Sequence, residues 1–437
     1  MATLLLLAGC ASSGSATPAH RDDPAATRPA EAAVEQGAWR PIKEAPIPPA
    51  GGMAAVWTGR QLVVWGGQAG DGTRRASGDG AAYDPGADRW EALPPAPVAG
   101  RFGTSAVWTG REVLFWGGQA GPDTRGLQLP PTTATFADGA AYDPATRRWR
   151  TLPVAPIGAR TGHQAVWTGR EMIVWGGYSR CCPIDSVIHD PAAAAYDPAT
   201  DRWRRIADVP PPWSGDDGTA ATVVDDDRPL IWRHSHLAAY DPATDRWGEA
   251  SGGPPPPAPV PAPAPGNPAL PSATTGDPFV LAAVDGGDGA SGKGGAGGAG
   301  AGGGSATGSG TGAGTGPRRG GAARGREVFT WTGNSGQRLN GVAWRPSDST
   351  WRRIAPLDGQ SGAAVTAGGP GRIYAAAGQS ARVLEYRIAD DRWEELPLAP
   401  IPTRSAAVLV WTGSELLFWG GIGDEGPEMN GATWHCC

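Results

Sequence analysis

The chain has 437 residues, and its 68 glycines and 44 prolines approach the share at which low-complexity composition begins. Yet it carries 20 tryptophans and 40% apolar residues, which a disordered polymer has no means of burying. The formal charge of −6, with no basic run, argues against a nucleic-acid surface, so a tryptophan-rich fold must alternate with segments that stay outside it.

The chain opens MATLLLLAGCASSGS. The run from Leu4 to Cys10 resembles the lipobox of bacterial lipoproteins, where apolar and then small residues precede a cysteine that accepts diacylglycerol. It departs from that pattern in having no basic residue before the leucines. Ala11, not an aspartate, follows the cysteine, so the inner-membrane retention signal is missing. The resemblance implies a signal segment over 1–9 and a lipid on Cys10. It also implies an extracytoplasmic protein held at a bacterial envelope, at the outer membrane in a Gram-negative cell. Residues 10–36, rich in Ala, Pro, Ser, Thr and charge, read as a flexible tether. No other stretch reaches the roughly 18 apolar residues that a spanning helix needs.

From Trp39 onward a repeat dominates. AAVWTGRQLVVWGG, SAVWTGREVLFWGG and QAVWTGREMIVWGG are followed by GAAYDPGADRW, GAAYDPATRRW and AAAYDPATDRW. Each unit is four short β-runs: one ending at Trp-Thr-Gly, one ending at Trp-Gly-Gly, one ending at Tyr-Asp-Pro, and one carrying a tryptophan. Tyr83 to Trp90, Tyr142 to Trp149, Tyr196 to Trp203, Tyr240 to Trp247 and Tyr386 to Trp393 are all seven residues apart, and Trp344 to Trp351 keeps the step. A glycine doublet followed by such an aromatic pair resembles the Kelch repeat, and the resemblance covers the chain from about Trp39 to the end. It implies an all-β, seven-bladed Kelch-type β-propeller, with six blades as the alternative if blades four and five are misread.

Blades one to four end at Trp90, Trp149, Trp203 and Trp247. Blade five is assembled from Phe279–Val284, Glu327–Trp331, Val342–Trp344 and Trp351, and blade six ends at Trp393. The last unit has only three strands. Trp39 precedes Trp57 by 18 residues, as Trp90 precedes Trp108, so an N-terminal strand is expected to complete the last blade and close the ring. Closure removes two open β-edges. The propeller domain thus spans 37–437 with two inserts: a stiff Pro-rich segment over 252–275 and a flexible Gly-rich one over 285–325. The Gly-rich string lacks the G-K-[ST] of a phosphate loop.

Ligands of such propellers usually bind the face shared by the fourth-to-first and second-to-third loops. Arg101, Arg160 and Arg404 each lie seven residues before a Trp-Thr-Gly tryptophan, so they should recur at one height there. Two roles are open to them: an anion-attracting ring for carboxylates or sugar acids, or a repeat-structural arginine bonding carbonyls or a neighbouring acid. Tyr178, Arg180, Asp185 and His189 make the blade-three loop the most chemically varied, and Trp213 offers a stacking surface or a packing residue. All eight are candidate ligand contacts.

No catalytic set stands out. Copper-radical oxidases of the galactose oxidase kind need two tyrosines, two histidines and a tyrosine–cysteine crosslink, and here the repeat itself uses five of the seven tyrosines. His234 and His236 share a strand face without a third ligand, and the pairs Cys181-Cys182 and Cys436-Cys437 lack metal-site spacing, so neither metal nor cofactor is expected. The reading is a lipid-anchored recognition scaffold for a protein, peptide or glycan. The alternative is a sugar-processing propeller enzyme, resembling sialic-acid mutarotase or galactose oxidase.

Overall fold

The computed structural model describes residues 37–71, 73, 75–121, 135–180, 187–211, 221–225, 228–233, 236–249, 278–285, 299–300, 326–332, 339–345, 347–357, 365–376, 381–405 and 407–435. The signal segment, tether, Cys10, Pro-rich insert, Trp213, Asp185 and both cysteine pairs lie outside them.

Seven small antiparallel sheets form a ring, and no helix occurs among the described residues. Blade 2 shows the plan. Ser105–Trp108, Val113–Trp116, Gly139–Asp143 and Arg148–Leu152 pair in succession from the axis outward. First strands of neighbouring blades touch, as Ala54–Trp57 does Ser105–Trp108, and Ser105–Trp108 does Gln164–Trp167. In blade 5, Pro278–Asp285 pairs with Arg326–Thr332 across the long insert, in continuous register from Val280 to Asp285 after a shift between Pro278 and Val280. Within that insert, Ala299–Gly300 pairs with Ala54 and Ala55 of blade 1.

Local chemistry sets each turn. Thr109 Oγ1 accepts the Glu112 N–H at 2.9 Å and donates to the Glu112 carbonyl at 3.0 Å, while Gly110 takes φ 92°. The same threonine lock recurs at Thr58, Thr168 and Thr412. In the outer turn, Asp143, Asp197 and Asp241 each accept the N–H two residues on, at 2.8 to 2.9 Å. That turn ends on a residue at positive φ, usually aspartate (Asp88, Asp201, Asp245, Asp391), which tolerates the left-handed region. Its carboxylate accepts the hydroxyl of the tyrosine five residues back, at 2.9, 2.5, 2.8 and 2.6 Å respectively.

Among the described residues the core is seven clusters, each lying between two adjacent blades. The second-strand tryptophan of one blade meets the fourth-strand tryptophan of the next. Trp65–Trp149, Trp116–Trp203, Trp175–Trp247, Trp331–Trp393 and Trp419–Trp90 have ring centroids 4.9 to 6.0 Å apart. The fourth-strand indole also reaches back one blade. Trp90, Trp149, Trp203, Trp247 and Trp39 donate to the carbonyls of Lys43, Pro94, Pro153, Ala207 and Pro397. At the blade 5–6 seam, Trp331 takes the equivalent Ala355 carbonyl at 2.8 Å, and the buried Trp393 Nε1 is left without a partner.

The ring closes as the repeat requires. Ala38–Ile42 pairs with Gly431–His435 over five residues and supplies the fourth strand of blade 7.

Candidate functional site: the loop face around the axis

Arg101, Arg160 and Arg404 do recur at one height, but their guanidiniums are enclosed, at 1%, 1% and 2% exposure. Arg101 Nε donates to the Ala99 carbonyl, and Nη1 to the Gly117 carbonyl and to Asp138 Oδ1 at 2.7 Å. Arg160 donates to the Gly158, Gly176 and Ala192 carbonyls and to Asp190 Oδ2 at 2.7 Å. Arg404 does the same with the Pro402 and Gly420 carbonyls and Asn430 Oδ1 at 2.7 Å. Each arginine is a latch that ties its blade's inner connection to its own second-to-third loop. Burial pulls the pKa of Arg160 and Arg404 down, but guanidiniums start so high that both stay charged. Of the two roles the sequence left open, the geometry supplies the structural one, because the peptide carbonyls saturate the fork before any ligand can.

The latches hold a rim. One residue beyond each latch position meets the residue following the glycine doublet in a short antiparallel contact: Gly51 with Gln68, Phe102 with Gln119, Thr161 with Tyr178, Ser405 with Ile422. The backbone geometry repeats while the side chains do not. Tyr178 thus stands on the rim, and Tyr178–Arg180 pairs with Val187–His189 to raise a hairpin above blade 3. The side chains of Arg180 and His189 lie outside the described residues.

Sequence reasoning passed over Gln68, Gln119 and Ile422. The available signal was positional: a residue that changes from blade to blade immediately after an unchanging Trp-Gly-Gly.

Just inside the rim, the start of the first strand is polar in blades 2 and 3 (Thr104, Ser105, His163, Gln164) and apolar in blades 7 and 1 (Ala407, Val408, Met53, Ala54). His163 is buried across the blade 2–3 seam. Its Nε2 lies 2.9 Å from Ser105 Oγ, and its ring meets Trp116 edge-on at 4.8 Å. Burial, then the nearby Arg160 charge, pushes its pKa down to about 3, so it is neutral at physiological pH. Its Nδ1 and Gln119 Oε1 are buried without a hydrogen-bond partner. No group of three or more His, Cys, Asp and Glu among the described residues is placed to hold a metal ion.

On the opposite face a second network joins the blades. Arg150 bonds Glu112 of its own blade at 2.8 and 3.0 Å, and Tyr196 and Asp201 of the next at 3.0 Å each. Arg204–Glu171 and Arg352–Glu327 repeat the intrablade half. At the closing blade, Arg40 approaches Glu415 at 3.8 Å.

A ring of seven sheets built on four strands each, cored at its seams by aromatic pairs, is a β-propeller. The repeat that builds it makes the chain a Kelch-repeat β-propeller protein: the KLHDC2/KLHL20/DRC7 Kelch-repeats domain family matches residues 52–262. Among curated proteins the chain is similar to an F-box/kelch-repeat protein of Arabidopsis thaliana, 27% identical over 165 residues, covering 36% of this chain and 38% of that protein. It is 36% identical over 104 residues to Kelch domain-containing protein 3 of Homo sapiens, covering 21% of this chain and 25% of the relative. The matches thus span well under half the length of these relatives. Among solved structures, a fungal alcohol oxidase of the AA5 family in complex with copper shares the fold, with TM-score 0.58 and 14% identity over 91% of this chain and 76% of its own.

Proposed function

We propose that the protein is a recognition scaffold, anchored by lipid at Cys10 outside the cytoplasm, that presents its axial loop face to a protein, peptide or glycan. One observation carries the recognition part: latches that repeat from blade to blade hold rim positions whose side chains differ from blade to blade. A rigid frame with varied contacts is the arrangement a binding surface needs, since preorganisation lowers the entropic cost of association. The Leu4–Cys10 motif carries the anchoring part.

Two measurements test these parts separately. Arrays of glycans and peptides, read with wild type and Tyr178→Ala, should give ligands whose binding falls in the variant. Signals indifferent to Tyr178 and to Gln119→Ala would remove the rim from the reading. Cys10→Ser should move the protein from the membrane to the soluble fraction of its own envelope, and continued membrane association would refute the anchor. Copper-dependent hydrogen peroxide release from galactose would place the protein with the oxidases instead.

A further inference from the structure

Blade 1 keeps the frame of the arginine latch but lacks the arginine. The frame is recognised by its backbone bonds. Gly117 N–H donates to the Asp138 carbonyl at 3.1 Å in blade 2, and Gly420 N–H to that of Asn430 at 3.1 Å in blade 7. In blade 1 the same bond runs from Gly66 to Asp79 at 2.9 Å. Phe136 N–H donates to the Gly118 carbonyl at 2.9 Å, and Ser77 N–H to that of Gly67 at 2.8 Å. Position by position, Gly66 therefore stands for Gly117, Asp79 for Asp138, and Ser77 for Phe136. The latch position, seven residues before the Trp-Thr-Gly tryptophan, is Ala50.

Two further changes set this seat apart. In blade 2 the guanidinium is capped by the Phe136 ring, with Arg101 Cζ 4.0 Å from its centroid. In blade 1 the small Ser77 takes that place, and its hydroxyl donates to Asp79 Oδ2 at 3.0 Å. Asp79 is exposed, whereas Asp138 and Asp190 are each partly covered by their own arginine. Among the described residues no cation pairs with Asp79. Ala50, Gly66 and Gly67 are buried, and the Gly66 N–H bond to the Asp79 carbonyl holds the acceptors in place.

We infer that this seat receives an arginine side chain from a partner protein or peptide, whose guanidinium completes in trans the latch that blades 2, 3 and 7 complete in cis. The chemistry favours arginine over lysine. The three filled seats each offer a peptide carbonyl and a side-chain oxygen to one planar fork, which a point-charge ammonium matches less well. The inference deepens the recognition reading and rests on it for the existence of a partner; the seat itself rests on the repeated geometry.

The probe is the peptide acetyl-Gly-Arg-Gly-amide, with its lysine and citrulline counterparts as controls, followed by NMR shifts of the Gly66, Gly67 and Asp79 amides. The arginine peptide should titrate these amides, and the controls should bind at least tenfold more weakly. Asp79→Ala should weaken the arginine peptide at least tenfold. Asn is unsuitable there, because Asn430 serves Arg404 well. Ala50→Arg should fill the seat internally, abolish peptide binding, and raise Tm on the order of 2 °C. An unchanged or lowered Tm in Ala50→Arg, or peptide binding that survives both variants, overturns the seat. A physiological partner that Ala50→Arg still binds would remove the seat while leaving the recognition reading intact.

Discussion

The indole of Trp39 lies against that of Trp434 with ring centroids 5.5 Å apart, joining the first described strand of the chain to the last. Trp39 Nε1 also donates to the Pro397 carbonyl of blade 6 at 2.6 Å, so this one side chain fastens the closing strand to two blades. Trp39→Ala should destabilise the propeller by about 2 kcal/mol, less than a fully buried tryptophan because the ring is only half-buried. Trp39→Phe, which keeps an aromatic contact and loses the donor, should cost about 1 kcal/mol. Urea unfolding reads both. A change under about 0.5 kcal/mol in Trp39→Ala would mean that the strand does not hold the ring shut.

The arginine latches predict an asymmetry between partners. Arg160→Ala leaves the buried Ala192 carbonyl and the partly buried Gly176 carbonyl without their donor and Asp190 without its cation, at a cost of roughly 3 kcal/mol. Asp190→Asn should cost under about 1 kcal/mol, because blade 7 already runs the same latch with Asn430 and because Asp190 is a third exposed. Equal losses in the two variants, measured by chemical denaturation, would show that the ion pair and not the carbonyl bonding holds the loop.

The ring was legible because its determinants are covalent spacing and large aromatics. The seven-residue step from Tyr to Trp is a two-strand register across a fixed turn, and the structure places Tyr142 opposite Trp149 and Tyr196 opposite Trp203. The strand order of the interrupted blade 5 followed from the same step. The direction of Arg101, Arg160 and Arg404 was not legible to the same degree. Their partners are mostly backbone carbonyls, whose orientation depends on the positive φ of Gly117, Gly176 and Gly420 and leaves no residue signature. The one trace was an acid or amide shortly before the third-strand aromatic, at Asp138, Asp190 and Asn430. What isolates His163 is likewise tertiary: the blade 2–3 seam, a contact between segments 58 residues apart.

The tyrosine–aspartate turns make the fold sensitive to alkali. Burial first, and then the Asp245 acceptor, push the Tyr240 phenol up to about 12, and Tyr83, Tyr196 and Tyr386 are raised further by the same causes. An acid whose folded pKa exceeds its unfolded value of about 10 contributes stability below pH 10 and loses it as pH rises toward 12. Absorbance at the phenolate band should therefore show most tyrosines ionising together with unfolding and not before it. Tyr196→Phe, which gives up its bonds to Asp201 and Arg150, should cost about 1 kcal/mol at neutral pH and flatten part of the alkaline loss.

His163 sets the acid side. Its folded pKa, about 3, lies below the ordinary imidazole value of 6.5, so between these limits the unfolded chain binds a proton that the folded one refuses. Stability then rises with pH across that window, and acidification removes it, starting as pH falls through 6.5. Going from pH 7 to pH 5 should cost on the order of 2 kcal/mol through this residue alone, at about 1.4 kcal/mol per pH unit. Gly117 leaves the room the ring occupies: a Cβ at that position would lie 2.5 Å from His163 Cε1. Gly117→Ala should therefore destabilise, both by that clash and by forcing alanine to φ 69°. His163→Gln keeps a polar group near Ser105 without a titrating one, so its stability curve between pH 7 and pH 5 should be flatter than that of wild type. Parallel curves for the two proteins would show that the acid loss does not come from the buried imidazole.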